Sequence, residues 1–335
     1  MNKMTKLGVT ALCGSLAAVS SANAGSLSAA GGVDMSWISM DDENVGNPIG
    51  IGSNYTLSGA GELDNGWAVG IDILMTNTNT HSNTNVDVTI PGIGAFIISQ
   101  GVTGSGIDRM DDMTPNVWEE AYASGLSTGI KTVSGGSGGA GIEWTPDMLP
   151  DGLTARVHWS PDASGSKAAD KASTGGSANS GSSYDVTLEL GEGITGMTGL
   201  NIYGGISQVN SQGINNDGDR EESTIGATYA VGGFTVGYQW SEADLGASAN
   251  EQQYDNEGYG ITFAINDDLS VGYNHYESKQ TSTTNVTAEA DSVQIAYSMG
   301  GASIRIMDAS ADNMAYNTGA AYDRDNTVVS VALAF

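Results

Sequence analysis

The chain has 335 residues, of which 39 are acidic and 11 are Lys or Arg, and its formal net charge is −28. So negative a protein cannot neutralise phosphates, which excludes nucleic acid as a partner and indicates either attraction of cations or an acidic solvated surface. The 48 glycines and only 6 prolines favour paired strands with tight turns over a helical fold.

The first 24 residues have the pattern of a secretory signal peptide. Lys3 and Lys6 precede an apolar stretch at 7–19, and Ala22-Asn23-Ala24 matches an A-x-A cleavage site. We therefore predict that residues 1–24 are removed and that residues 25–335 form one mature domain. Cys13 would leave with the signal, so no disulfide is expected. Beyond residue 24 no apolar stretch is long enough to be a transmembrane helix.

Sixteen segments are predicted as strands because apolar residues alternate within them and turn signals separate them. They are 26–40, 49–62, 67–79, 85–90, 94–100, 138–146, 152–162, 183–192, 198–209, 222–231, 234–244, 254–265, 269–280, 288–299, 302–313 and 323–335. The intervening segments alternate between short turns and long loops, which is typical of a membrane barrel with short periplasmic turns and long outer loops. We predict an all-β fold: a transmembrane antiparallel β-barrel of 16 strands.

Residue parity predicts which side of each strand faces lipid. In the last strand Thr327, Val329, Val331, Leu333 and Phe335 share one face, and small or weakly polar residues share the other. The same analysis places apolar side chains on the lipid face of most strands, with aromatic side chains near the strand ends, where the girdles of such barrels belong. Examples are Trp37, Tyr55, Trp67, Trp144, Trp159, Trp240 and Tyr322.

Four segments carry a family resemblance. They are 57–71, with the core Gly-x-x-x-Leu-x-Asn-Gly; 92–100; Ile142-Glu-Trp-Thr-Pro146 followed by Gly152-Leu153; and the terminal Phe335. In order and spacing the chain resembles the sixteen-stranded general porins of Gram-negative outer membranes. The resemblance implies a homotrimer in the outer membrane that passes small hydrophilic solutes by diffusion. It also implies an inward-folded long loop after strand 5, and recognition of Phe335 as the signal for the outer-membrane barrel assembly machinery.

The chain departs from that family in its charges. Ser99 stands where those porins often have an arginine, and Gly135-Gly-Ser-Gly-Gly139 stands where an arginine cluster is usual.

Two sets of charged residues are candidates for lining the channel, because charges at the narrowest section set the selectivity of a barrel. In the 101–137 loop, the predicted pore constriction, they are Asp108, Arg109, Asp111, Asp112, Glu119, Glu120 and Lys131. On the inward side of the wall they are Asp34, Glu62, Asp72, Glu143, Arg156, His158, Asp185, Glu189 and Arg305. Acids outnumber bases in both sets, so we predict a preference for cations.

No cofactor is required by any motif, although two acidic clusters could bind Ca²⁺ or Mg²⁺ loosely through oxygens. They are Asp41-Asp42-Glu43 and the group Asp217, Asp219 and Glu221, followed by Glu222. The full calcium-loop spacing is absent, which favours ordinary solvated loops. Divalent ions could also bridge these clusters to anionic headgroups of outer-membrane lipids.

Two other functions fit parts of the sequence. An outer-membrane barrel enzyme of the protease or lipase type would need a His–acid or Ser–His pair near the rim. His81, His158 and His275 are far apart, and Gly135–Gly139 matches G-x-S-x-G only formally, so we predict no enzymatic activity. A secreted β-rich adhesion or calcium-binding protein would share the alternation but would dissolve without detergent.

Overall fold

The computed structural model describes residues 26–40, 47–77, 80–100, 104–136, 140–163, 180–211, 218–246, 253–281 and 285–334. Within these ranges sixteen strands form one closed antiparallel barrel. Each strand pairs with its neighbours in the sequence, and β1 pairs with β16 to close the sheet. The predicted fold class and strand number are therefore confirmed. The predicted signal peptide 1–24, the cluster 41–43 and Phe335 lie outside the described residues.

The strands have the following bounds: β1 Ser26–Met40, β2 Ile49–Glu62, β3 Ala68–Thr76, β4 Thr80–Ile90, β5 Gly94–Gln100, β6 Gly141–Pro146, β7 Leu153–Ser160 and β8 Ser180–Leu190. The second half comprises β9 Leu200–Ser211, β10 Arg220–Val231, β11 Phe234–Asp244, β12 Gln253–Ala264, β13 Leu269–Gln280, β14 Thr287–Met299, β15 Ala302–Asp312 and β16 Arg324–Ala334.

One predicted boundary is wrong by five residues. The sequence predicts a loop at 80–84, whereas β4 begins at Thr80 and pairs with β3 through Thr76 and, across a register shift, through Met75 and His81. Residues 80–84 are polar on both faces and so give no alternation. They extend the strand by backbone pairing with β3, which does not depend on an alternation of side chains.

The two faces of the wall differ as residue parity predicts. On β11 the side chain of Tyr238 is 47% exposed on the outer face, whereas that of Gln239, the next residue, is 3% exposed on the inner face. The exposed apolar side chains include Met35, Tyr55, Ile71, Val157, Leu188 and Ile261, all on the predicted lipid face. The inner face carries most of the buried polar side chains, among them Asn274, Gln294 and Ser330.

The short connections are tight turns. Gly232 and Gly233 join β10 to β11 with φ values of 57° and 87°, a conformation that favours glycine. Between β8 and β9 lies α1 (Glu192–Thr195), which ends at Gly196 in the left-handed conformation. Further helical turns occupy 106–110, 121–123, 314–316 and 320–322. Among the described residues no helix is both long and apolar enough to cross a membrane.

The assignment of the outer and inner faces can be tested by placing a lysine at each of two adjacent residues in separate variants. Ile261 on β12 is 41% exposed on the outer face between Val236 and Tyr273, and Thr262 points to the inner face. We expect Ile261→Lys to lower the free energy of unfolding by about 2–4 kcal/mol, because lipid would surround the ammonium group. Thr262→Lys should cost much less. Urea unfolding in lipid vesicles measures both values, and equal losses would contradict the assignment.

Candidate functional site

The segment 104–136, between β5 and β6, lies against the inner face of the barrel. Four buried amide side chains of the wall bond to its backbone. Gln239 of β11 donates to the Met110 carbonyl at 2.5 Å, and Gln294 of β14 accepts from the Trp118 amide at 2.8 Å. The other two are Asn274 of β13, which accepts from the Ala121 amide at 2.9 Å, and Asn326 of β16, which donates to the Ser124 carbonyl at 2.8 Å. Neutral groups therefore fix the middle of the segment along the wall from β11 to β16.

Carboxylates hold the two ends of the segment. Glu143 of β6 accepts from the Gly106 amide at 2.7 Å, and Asp185 of β8 lies 3.4 Å from the Ile107 amide nitrogen. Glu222 of β10 accepts from the amides of Ser134 and Gly135 at 2.8 and 2.5 Å. All three carboxylates are buried. Charge-assisted bonds to backbone N–H groups are stronger than neutral ones, so the ends are anchored by charge.

Asp185 lies where the two ends of the segment meet. It accepts a hydrogen bond from the Ser207 hydroxyl at 2.6 Å, and its Oδ2 is 3.3 Å from Nδ1 of His158. Asp185 is 0% exposed and His158 is 1% exposed. This histidine–acid pair is thus covered by protein, whereas a second pair, His275 with Asp291 at 2.8 Å, is partly exposed on the outer face of β13 and β14.

Two glycines let the chain pass over Asp185. Gly106 and Gly135 have φ values of 59° and 55°. A Cβ atom on Gly106 would lie 1.9 Å from Oδ2 of Asp185, and one on Gly135 would lie 2.8 Å from the same oxygen. Neither approach is possible with a larger side chain, so these glycines are required for the contact as well as for the turn.

The segment also has an apolar side that the sequence analysis missed. Its buried residues Ala121 and Leu126 pack with Met307 of β15 and Val328 of β16. Met307 and Val328 are apolar at inner-face positions where a water-filled barrel would have polar side chains. That mismatch is the sequence signal that could have indicated a covered wall.

The acids of the segment occupy partly buried positions. Burial, together with Asp112, Asp108 and Glu120, raises the pKa of Asp111 to about 8. Burial likewise raises the pKa of Glu120 to about 7, although its own backbone amide and Asn116 act in the opposite direction. Burial raises the pKa of Glu119, against the opposing effect of Arg305. Part of the negative charge of the segment therefore develops only near neutral pH.

The remaining predicted residues of the segment have other environments. Asp108 accepts a hydrogen bond from the Gly104 amide at 2.7 Å, Arg109 forms an ion pair with Glu143, and Asp112 and Lys131 are exposed. The arginine side chain is thus neutralised by the same carboxylate that holds Gly106.

The wall arginines are likewise paired with carboxylates. Arg156 bonds to Glu189 across β7 and β8, and Arg305 of β15 bonds to Asp34 of β1. Arg305 also lies 4.8 Å from the ring centroid of Trp118, so the segment covers it. A further ion pair joins Arg220, which was not predicted, to Glu222 at 3.2 Å; Glu222 was predicted only as the end of the acidic cluster that begins at Asp217.

Within the described ranges, several inner-face acids that form no ion pair lie on the other side of the barrel. Asp72 of β3 accepts from the Ser58 hydroxyl at 2.5 Å, and Glu62 is exposed at the end of β2. Asp87 of β4, which was missed, shares the inner face with Asp72, because Asp72 pairs with Asn85 and Gly70 with Asp87. Strands β1 to β5 contain no Lys or Arg.

Metal binding gains no support from the part of the chain that is described. There, no group of three or more His, Cys, Asp or Glu side chains is arranged to hold an ion. Of the acidic group at 217–221, Asp217 lies outside the described residues, Asp219 accepts from Gln208 at 2.9 Å, and Glu221 is exposed on the outer face. Part of Gly135–Gly139 is also outside the described residues.

Comparison with known proteins identifies the family. A family model described as Gram-negative porin matches residues 8–323. The chain belongs to the Gram-negative porin family. This porin is accordingly an outer-membrane β-barrel, as its closed sheet and apolar outer face indicate. No curated protein sequence matches it.

Solved structures share the fold of this porin at low sequence identity. The anion-selective porin from Comamonas acidovorans is 14% identical with a TM-score of 0.68, over 93% of this chain and 100% of that one. OmpT of Vibrio cholerae in a trimer form is 12% identical with a TM-score of 0.66, over 93% and 100%. A mutant of Rh. blastica porin is 15% identical with a TM-score of 0.60, over 92% and 100%.

The close contact between the segment backbone and Asp185 can be tested by changing two glycines separately to alanine. Gly104 and Gly106 both have positive φ, but a Cβ on Gly104 would meet no atom within 4 Å. Each change to alanine should cost about 1–3 kcal/mol through the backbone conformation. Gly106→Ala should in addition break the bonds to Glu143 and Asp185. We expect amide exchange at 104–110 to accelerate at least about tenfold more in Gly106→Ala than in Gly104→Ala. Equal exchange would show that the close approach is unimportant.

Proposed function

We propose that this porin is a passive channel for small hydrophilic solutes with a preference for cations, and that segment 104–136 narrows its lumen. The observation that carries the proposal is the pairing of charges. Arg109, Arg156, Arg220 and Arg305 each form an ion pair with a carboxylate. Each such pair contributes little net charge to the channel.

The acids that remain face the lumen from two sides. Asp111, Asp112, Glu119 and Glu120 belong to the segment, and Asp72 and Asp87 belong to the wall strands that lack Lys and Arg. Among the described residues none of these six forms an ion pair with a basic side chain. A low-dielectric wall with one sign of charge concentrates counter-ions, so cations should enter more readily than anions.

Passage through such a channel involves no energy coupling and no chemical step. Solutes would move down their gradient, with size limited by the segment and charge selected by the carboxylates. Asp111 and Glu120 would add negative charge to the channel as the pH rises.

A homotrimer is the assembly that we propose. The trimer form of Vibrio cholerae OmpT supports it by likeness of fold. Ala29 and Gly31 on the outer face of β1, and Ala302 on the outer face of β15, would allow close packing of neighbouring barrels. Outer-membrane lipids would surround the rest of the outer face.

The charge assignment predicts the effect of reversing single acids. Asp72→Lys and Asp112→Lys should each lower the cation/anion permeability ratio at least about twofold, because each places a positive charge in the lumen. Asp308→Lys is the matched control, since it changes the net charge equally but on the outer face. Reversal potentials in a salt gradient across a planar bilayer measure the ratio. The proposal fails if the control has the same effect as the two lumen variants.

The segment acids predict a pH dependence. Asp111 and Glu120 have pKa values of about 8 and 7, so both are largely protonated at lower pH and become negative as the pH rises. We expect the cation/anion permeability ratio to increase between about pH 6 and pH 9. Asp111→Asn should flatten the upper part of this rise, and Asp308→Asn should leave it unchanged. A ratio that is constant over this range in the unmodified protein would contradict the prediction.

A further inference from the structure

A recess opens in the inner face of the barrel around Asp34 of β1. The two residues directly opposite Asp34 are Gly52 of β2 and Ala332 of β16, so neither neighbouring strand fills the space beside its carboxylate. The side chain of Asp34 is 41% exposed. It lines a cavity of about 410 Å³ between the wall and segment 104–136. A cavity of this volume can hold a small organic molecule.

One side of the recess is apolar, which is unusual for the lumen of a water-filled barrel. Ile38 of β1 and Met307 of β15 line it from the wall, and Trp118 lines it from the segment. Met307 is 1% exposed, whereas Ile38 and Trp118 are only partly buried. The segment therefore covers Met307 but leaves Ile38 and Trp118 with apolar surface that a solute could cover.

The polar side of the recess is acidic. Glu119 of the segment lines the cavity together with Asp34, and it forms no ion pair with a described basic side chain. The charges of Arg305 and Asp34 both act on Glu119. Arg305 is bonded to Asp34 and Ser330, and its guanidinium group lies over the ring of Trp118. The two ionised carboxylates and the guanidinium group together carry one net negative charge.

A buried hydroxyl group of the recess also lacks a partner. Ser124 lines the cavity and is 2% exposed, and its hydroxyl forms no hydrogen bond with any described residue. Buried hydroxyl groups are normally hydrogen-bonded, and an unpaired one is destabilising. A solute in the recess would supply the missing partner.

We propose that this recess is a saturable binding site for organic monocations, in which a primary ammonium group lies between Asp34 and Glu119 and an apolar group covers Ile38 and Trp118. The site rests on the cation-preferring channel proposed above and names the class of solute that it selects. An ammonium group supplies one positive charge and N–H donors for both carboxylates.

The lining decides between classes of solute. An anion would meet the carboxylates of Asp34 and Glu119, while the guanidinium group of Arg305 is already bonded to Asp34. A metal ion would leave Ile38 and Trp118 uncovered, and a neutral sugar would leave the net negative charge without a counter-ion. Only a cation with an apolar group matches both sides of the recess.

The test measures block of the K⁺ current through the purified full chain in a planar bilayer at pH 8. The probe is 2-phenylethylammonium, and the comparison compounds are ethylammonium and the neutral 2-phenylethanol. We expect half-block by the probe at a concentration at least about tenfold lower than for ethylammonium, because its ring covers apolar surface. The alcohol should need at least about threefold more than the probe, because it has no charge to pair with the acids.

Two variants alter the recess in different ways. Glu119→Gln should raise the half-block concentration of the probe at least about threefold, as for loss of a partly exposed ion pair. Gly52→Val should raise it at least about tenfold by filling the space beside Asp34 without changing a charge, and a Cβ atom on Gly52 meets no atom closer than 3.4 Å. The matched control is Glu120→Gln, the same change at the adjacent acid, which does not line the cavity. It should leave the block unchanged.

Several outcomes would overturn the proposal. They are equal block by the probe and ethylammonium, equal block by the probe and 2-phenylethanol, and equal weakening of the block in Glu119→Gln and Glu120→Gln. Stronger block by phenylalanine, which adds a carboxylate to the probe, would assign the recess to zwitterions held by Arg305. Single-channel conductance in KCl alone shows whether each variant folds.

The cation preference and the recess fail in distinguishable ways. Reversal potentials in a KCl gradient without the probe test the preference alone. A cation-preferring channel that the probe does not block would overturn only the recess. Block that depends on Glu119, in a channel without preference between K⁺ and Cl⁻, would overturn only the proposed selectivity.

Discussion

The structure depends on the need to satisfy every backbone N–H and C=O group where no water can reach. In hydrocarbon each unpaired group costs several kcal/mol, so an open sheet edge is not tolerated. The barrel meets this requirement by pairing β1 with β16 from Gly32 and Ala334 to Met40 and Asn326. With the backbone satisfied by closure, the side chains need to match only the medium on their own side of the wall.

The inner face supports structure as well as solvation. Gln239, Asn274, Gln294 and Asn326 give backbone partners to a segment that has little regular structure of its own. The buried carboxylates Glu143, Asp185 and Glu222 do the same at its ends. These acids therefore differ from Asp72 and Asp112, although all carry the same type of charge. An acid buried under the segment holds the segment in place, whereas we propose that Asp72 and Asp112 act on ions in the lumen.

Much of this protein could be predicted from its sequence. Alternation along 234–244 predicts a strand with Tyr238 outside and Gln239 inside, because the side-chain period of a strand is fixed by geometry. Sixteen such segments, joined by loops that alternate in length, were sufficient to predict the barrel. The start of β4 could not be predicted, because residues 80–84 pair through their backbone and leave no pattern in their side chains. The sequence pattern of segment 104–136 likewise gives almost no indication of which residues contact the barrel wall.

The sequence by itself determined the strands, their faces and the excess of acids, since these follow from local periodicity and composition. The tertiary structure alone decided which charges neutralise one another. Arg305 and Asp34 are far apart in the chain and meet only because the barrel closes. It also decided that Asp185 lies under Gly106. Such relations depend on the register between strands and on long-range contacts, which a linear pattern does not encode.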